Sequence, residues 1–91
     1  MTDYLHIGGQ HVVRRSAVSG IFDIDNTTSA KSTREMLARA EKNGEVVNAA
    51  EDLPRSFILC EEDGTRRVYL SQLSPAALSR RRIIVTDVDH R

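Results

Sequence analysis

The sequence has one cysteine in 91 residues and lacks any apolar run near the ~18 residues that a membrane-spanning helix needs. A single cysteine excludes an internal disulfide and a cysteine-based metal cluster within one chain. Because Cys60 lies in the apolar stretch 57–60, we interpret it as a buried structural thiol rather than a nucleophile. Residues 1–4 have neither the basic region nor the apolar run of a signal peptide. We therefore expect a cytoplasmic protein with no membrane partner.

An excess of charge is also lacking, because 13 basic and 13 acidic residues balance. This balance argues against a protein that coats DNA through bulk positive charge. Eleven of the 13 cations are arginine, and seven of these lie in clusters at residues 14–15, 66–67 and 80–82. Arginine suits phosphate and guanine because its planar guanidinium binds both in a bidentate manner. A GC-rich coding sequence also favours arginine, so composition alone leaves both explanations open.

The pattern along the chain predicts a small β-rich α+β domain with antiparallel strands. So short a chain has room for one hydrophobic core, and we assign residues 1–82 to a single domain and 83–91 to a C-terminal tail. The main helix is expected at about 30–43 and a short C-terminal helix at about 75–82. Strands are expected at 4–7, 11–13, 18–24, 45–48, 55–61 and 66–71, with 83–85 as a further candidate.

The ends of these elements carry recognisable signals. Ser32 and Glu35 fit a capping box at the start of the main helix, and Gly44 suits its end. The turn dipeptide at 63–64, Asp-Gly, predicts a tight hairpin between the last two long strands. Ser74 followed by proline predicts the start of the short helix.

The segment 21–27, IFDIDNT, is the sharpest local motif. It resembles the first motif of haloacid-dehalogenase-type phosphotransferases, in which an Asp nucleophile and a second Asp bind magnesium after a strand. Only 64 residues follow it, too few for that fold, and Asn26 replaces the usual glycine. The alternative is a strand that runs into an Asx-rich turn, which we favour. The histidines lack metal-ligand spacing. We therefore expect no metal site, no cofactor, no catalytic residue and no enzymatic activity.

Arginines at strand ends are the candidate DNA-binding residues, because a rigid frame there can present guanidinium groups to phosphates. Arg14, Arg15 and Arg55 have no acidic neighbour across an obvious turn. Arg66 and Arg67 stand opposite acidic residues 61–63 in the expected hairpin, so cross-strand ion pairs are the alternative for them. The cluster at 80–82 has a sufficient structural role at a helix C-terminus.

Short segments along nearly the whole chain also occur in the same order in a known family. They are YLHIGG at 4–9, VV at 12–13, GIFD at 20–23, VV at 46–47, PRS at 54–56, LSP at 73–75 and LSRR at 78–81. This ordered set, over residues 4–82, resembles the RemA/RemB family of extracellular-matrix and biofilm regulators, and the RemB branch more closely.

The resemblance implies a bacterial, sequence-selective DNA-binding regulator of matrix genes. Members of the family form closed homo-oligomeric rings whose outer arginines contact DNA, which would give a neutral protomer a cationic rim. The sequence departs from the RemA branch after the second strand, where that branch has an arginine and this chain has Ser16 and Ala17, with Arg14 and Arg15 just before them. It departs again at 53–54, where Leu-Pro replaces paired arginines and leaves only Arg55. The alternative function is a ring-forming or scaffolding interaction module that does not bind DNA.

Overall fold

The computed structural model describes residues 3–27, 30–80 and 83–84. Along these residues the chain forms strands and helices in the following order: β1 (Asp3–Gly8), β2 (His11–Arg14), a 3-10 turn (Arg15–Ala17), β3 (Val18–Asp23), α1 (Ile24–Thr27), α2 (Lys31–Lys42), β4 (Val46–Asn48), β5 (Ser56–Glu62), β6 (Thr65–Ser71), α3 (Pro75–Arg80) and β7 (Ile83–Ile84).

The strands form two sheets. A three-stranded sheet has the order β2-β1-β7, and a four-stranded sheet has the order β3-β5-β6-β4. Adjacent strands are antiparallel except for β4 and β6, which are parallel. The parallel pair arises because α2 carries the chain back along the sheet, so that β4 starts from the same end as β3. The expected β-rich α+β class with one main helix is confirmed.

The four-stranded sheet is covered on both faces. On one face, Phe57 and Val68 pack against Ala40 of α2. On the other, Ile58 packs against Leu5 and other residues of the three-stranded sheet and α3. This two-sided burial explains why β5 is a continuous apolar run, whereas most antiparallel strands alternate.

Two buried serines join the sheets. Ser71 of β6 is fully buried, and its hydroxyl donates to the carbonyl oxygen of Ile7 in β1 at 2.6 Å. The same hydroxyl oxygen accepts the N–H of Leu73 at 3.0 Å. Ser56, also fully buried, donates to the carbonyl of Leu73 at 2.7 Å. The end of β6 is therefore fixed to both β1 and β5.

We predict that Ser71→Ala lowers the free energy of unfolding by about 1–3 kcal/mol, because it leaves the buried carbonyl of Ile7 and the partly buried N–H of Leu73 without their partner. Urea unfolding followed by circular dichroism measures the change. Ser32→Ala is the control, since Ser32 is exposed and makes no capping bond. Equal losses in both variants would contradict the role of Ser71.

Element ends match the sequence signals in three of four cases. The predicted capping box is wrong. Helix α2 begins at Lys31 and its N-cap residue is Ala30, so Ser32 already lies inside the helix and no side chain caps the start. Gly44 has φ +72°, as a helix end requires. Asp63 and Gly64 both have positive φ in the hairpin turn, and Ser74 caps α3 through the N–H of Ala77 at 3.1 Å.

Only part of the C-terminal segment lies among the described residues. Strand β7 pairs with β1, with Ile83 opposite Tyr4 and Ile84 opposite Asp3, so the candidate terminal strand is present. Residues 81–82, at the expected end of the short helix, and residues 85–91 of the tail lie outside the described residues.

Gly20 in β3 provides space for an aromatic ring. A Cβ atom at this position would lie 2.7 Å from two ring atoms of Phe22. Phe22 cannot move away freely, because its ring stacks on Phe57 with centroids 5.0 Å apart. The glycine therefore has a packing role at the edge of the four-stranded sheet.

Gly20→Ala is expected to lower the free energy of unfolding by about 1–3 kcal/mol through overpacking. Thermal and urea unfolding test this, with the exposed neighbour Ser19→Ala as control. Adding Phe22→Leu to Gly20→Ala should restore the part of the stability that the clash removes. An additive decrease in the double variant would show that the ring is not the cause.

Candidate nucleic-acid interface

A cleft of about 450 Å³ lies between the three-stranded sheet and the β5–β6 hairpin. Residues alternate across a strand, so Arg67 and Tyr69 of β6 face this side of the sheet, the side opposite Val68. Arg14, at the end of β2, reaches the cleft from the other sheet. The lining residues are Tyr4, Val12, Val13, Arg14, Ala17, Cys60, Glu62, Asp63, Thr65, Arg67 and Tyr69.

The two arginines of β2 and its following turn have acidic partners. The Arg14 guanidinium lies 3.3 Å from a carboxylate oxygen of Glu62, and the Nε of Arg15 lies 3.7 Å from Asp3. These partners do not lie across a turn, and the sequence did not indicate them, because it is the fold that brings β1 and the end of β5 beside the two arginines. Both members of the Arg14–Glu62 pair are about half exposed. A pair so accessible to water contributes only about 0–1 kcal/mol and opens readily.

Arg66 and Arg67 lie on opposite faces of the same strand. Arg67 faces the cleft, whereas Arg66 lines a small hollow on the α2 side together with Arg39 and Glu45. Glu61 is the cross-strand neighbour of Arg66 in the backbone register. In the described part of the chain, neither arginine forms an ion pair. The cross-strand ion pairs considered as an alternative are therefore not formed there.

Arg55 lies at the far end of β5 from the hairpin turn. Its backbone N–H donates to Ser71 at 2.8 Å, and its carbonyl accepts the N–H of Ile24 at 3.0 Å. The length of β5 separates it from the turn, a distance of roughly 20 Å. The structure thus brings Arg14 and Arg67 into one cleft, places Arg15 next to Arg14, and sets Arg66 and Arg55 on other surfaces.

Three residues of these surfaces were not predicted from the sequence: Tyr4 and Tyr69 of the cleft, and Arg39 beside Arg66. Tyr4 and Tyr69 line the same cleft although they lie near opposite ends of the chain. Aromatic rings near guanidinium groups are a common means of holding nucleobases beside phosphates. The alternation of β6 was the only available signal for Tyr69. Arg39 meets Arg66 because α2 packs over the hairpin, which residue spacing does not reveal.

The motif at 21–27 forms a turn. Asp23 ends β3, and its carboxylate accepts the N–H of Asn26 at 3.1 Å, in the one-turn helix α1. This bond is a helix N-cap, so the strand runs into a polar turn at 24–27, as we favoured, although the bond spans three residues and not the two of an Asx turn. Among the described residues, no group of three or more histidine, cysteine, aspartate or glutamate side chains could hold a metal ion.

The comparison with known families agrees with the resemblance seen in the sequence. Residues 4–82 match the family model RemA-like, described as extracellular matrix regulatory protein A-like. The chain belongs to the RemA-like family. The match does not assign this RemA-like protein to the RemA or the RemB branch. No curated protein matches the sequence, and no helix in the described part of the chain is long and apolar enough to cross a membrane.

Cys60 lies at the floor of the cleft, only 6% exposed. Burial, and secondarily the negative charge of Glu62, raises the pKa of its thiol from 9.0 to about 11. Both effects disfavour the thiolate, which is the reactive form. The interpretation of Cys60 as a buried thiol is confirmed.

We predict that iodoacetamide labels Cys60 at pH 9.0 roughly 50-fold or more slowly in the folded protein than in urea, because the thiolate fraction is about that much smaller. The folded state holds the thiol proton more tightly than the unfolded state. The free energy of unfolding is therefore unaffected below pH 9 and declines as the pH rises towards about 11. Cys60→Ala should lose this part of the pH dependence. Equal labelling rates with and without urea would contradict the raised pKa.

Proposed function

We propose that this RemA-like protein is an oligomeric, sequence-selective DNA-binding regulator of bacterial matrix genes, acting in the cytoplasm and catalysing no reaction. The family description, extracellular matrix regulatory protein A-like, supports the regulatory role. The observation that supports a DNA contact is the meeting of Arg14 and Arg67 in one open cleft beside Tyr4 and Tyr69. Guanidinium groups bind phosphate oxygens in a bidentate manner, and tyrosine rings stack on bases.

The charges near the hairpin explain why one protomer is a poor DNA ligand. Four arginines in this region, at 14, 15, 66 and 67, are balanced by four carboxylates, at 3 and 61–63. Affinity for DNA grows with the number of phosphates neutralised together. A closed ring would repeat the cleft at regular intervals and sum contacts that are weak singly. Assembly would also add buried surface to a domain with a modest core.

Glu62 is the expected competitor of DNA in the cleft. Its carboxylate occupies the position beside Arg14 that a phosphate oxygen would take. Because the pair is half exposed and weak, a phosphate can replace the carboxylate at low cost. Glu62 then repels the incoming phosphate and limits non-specific affinity. Removing its charge is therefore expected to strengthen DNA binding, chiefly of non-specific DNA.

The combined variant Arg14→Ala, Arg67→Ala is expected to weaken DNA binding at least tenfold and to leave the oligomer size unchanged. Mobility shift at two salt concentrations measures both affinity and its salt dependence. The slope of log affinity against log salt should become shallower by ~0.9 for each phosphate that the variant no longer neutralises. Glu62→Gln should change affinity in the opposite direction. Arg80→Ala, which removes one exposed arginine elsewhere, is the control for the loss of a positive charge.

The other candidate arginines are ranked by the same assay. Arg15→Ala, Arg55→Ala and Arg66→Ala each remove one guanidinium from a different surface. If only Arg55→Ala weakens binding, DNA contacts the end of the molecule opposite the hairpin and the cleft is not the site. A wild-type oligomer that binds no DNA even at low salt would support a scaffolding module and overturn the DNA-binding proposal.

A further inference from the structure

Leu53 is the most exposed large hydrophobic residue among those described, with 80% of its surface accessible. The loop that carries it is held firmly. The side-chain oxygen of Gln72 accepts the N–H groups of Glu51 at 2.8 Å and Asp52 at 3.1 Å, and the carboxylate of Asp52 accepts the N–H of Leu53 at 2.8 Å. A leucine presented on a fixed loop loses little conformational entropy on docking. We name residues 51–53 the knob.

A largely apolar groove of about 400 Å³ lies on another surface, between α2 and the edge strand β4. Its floor is formed by Leu37, Ala38, Val46 and Leu70, and Arg34 and Glu41 complete its lining. We name it the α2–β4 groove. An open apolar groove at the edge of a sheet is a typical place for another chain to pack.

We infer that the knob of one copy of this chain occupies the α2–β4 groove of a second copy. Apolar Leu53 matches the apolar floor, and the charges around the two surfaces are complementary. Glu51 and Asp52 are the acidic residues of the knob, whereas Arg34 lines the groove and Lys31 lies three residues before it on α2. The positive end of the α2 dipole is at the same end of the groove. Glu41, near the other end of α2, directs the acidic knob towards the N-terminal half of the helix.

The contact is head-to-tail, because the knob and the groove are different surfaces. A pair of copies joined in this way still has one open knob and one open groove, so further copies add until the chain of contacts closes. This inference rests on the oligomer of the proposed function and assigns the surfaces that build it. The cleft with Arg14 and Arg67 and the groove have no lining residue in common.

Two single variants test the contact from its two sides. Leu53→Asp replaces the apolar side chain of the knob with a carboxylate. Ala38→Glu places a carboxylate in the groove, where it repels Glu51 and Asp52 of the second copy. We expect the wild type to be larger than a dimer by sedimentation velocity, and each variant to be a monomer with a wild-type circular dichroism spectrum. Ala76→Glu, which places the same charge at an exposed position of α3, should keep the wild-type size.

Mixing the two variants gives the sharpest result. Leu53→Asp keeps an intact groove and Ala38→Glu keeps an intact knob, so an equimolar mixture should form a 1:1 dimer and nothing larger. A wild type that is monomeric or dimeric, variants that keep the wild-type size, or a mixture that stays monomeric would overturn the inference. Mobility shift on the same samples separates the two proposals. If the variants keep the wild-type oligomer size and that oligomer binds DNA, the knob is excluded and the proposed function stands.

Discussion

The arrangement depends on the burial of the β5–β6 pair from both sides. These two antiparallel strands are in register over their whole length, from Ser56 opposite Ser71 to Glu62 opposite Thr65. One face receives α2 through Phe57 and Val68, and the other receives the three-stranded sheet through Ile58 and Cys60. The pair is covered on both faces except near its turn, and β3 and β4 pair with its two edges. The hydroxyl of Ser71 then sets the relation between the sheets within the core, where an unmet hydrogen bond is costly.

The cleft follows from this packing. The hairpin extends past the last layer of core side chains, and the end of β2 lies beside it, so that a gap lined by polar residues opens where the two sheets diverge. Arg14 and Arg67 meet there from different sheets, with Glu62 between the sheets as the counter-charge. The same local structure supplies the guanidinium groups of the proposed DNA contact and a carboxylate that competes with DNA for them. This balance accounts for a neutral protein whose proposed DNA affinity depends on repetition of the protomer and not on its net charge.

The surfaces of the proposed assembly differ from the cleft in polarity. The knob and the groove are an apolar side chain and an apolar floor edged by opposite charges, whereas the cleft is polar and lined by guanidinium and phenol groups. Because the two kinds of surface have no lining residue in common, the proposed self-association does not use the groups of the proposed DNA contact.

Local signals in the sequence predicted most of the elements of this fold. The Asp-Gly turn, Gly44 and the Ser74-Pro75 pair act on backbone dihedrals within a few residues, and each lies where the sequence placed it. The predicted capping box is absent, because two residues at the right spacing do not by themselves decide where a helix begins. Helix α2 begins at Lys31, one residue before Ser32, and packs against the four-stranded sheet through Ala40. The apolar character of residues 57–60 likewise indicated a buried strand and a buried thiol.

The candidate site was different, because it is made by contacts between distant parts of the chain. The adjacent Arg66 and Arg67 looked like one cluster, yet strand alternation sends them to opposite faces. Arg14 and Glu62 lie far apart in the chain, and only sheet packing makes them partners. The sequence by itself therefore determined the main strands and helices, the hairpin turn, the buried cysteine and the family, but not the one-turn helix α1. The tertiary structure alone decided which charges meet, since electrostatic pairing depends on distance in space, and spacing along the chain does not report that distance.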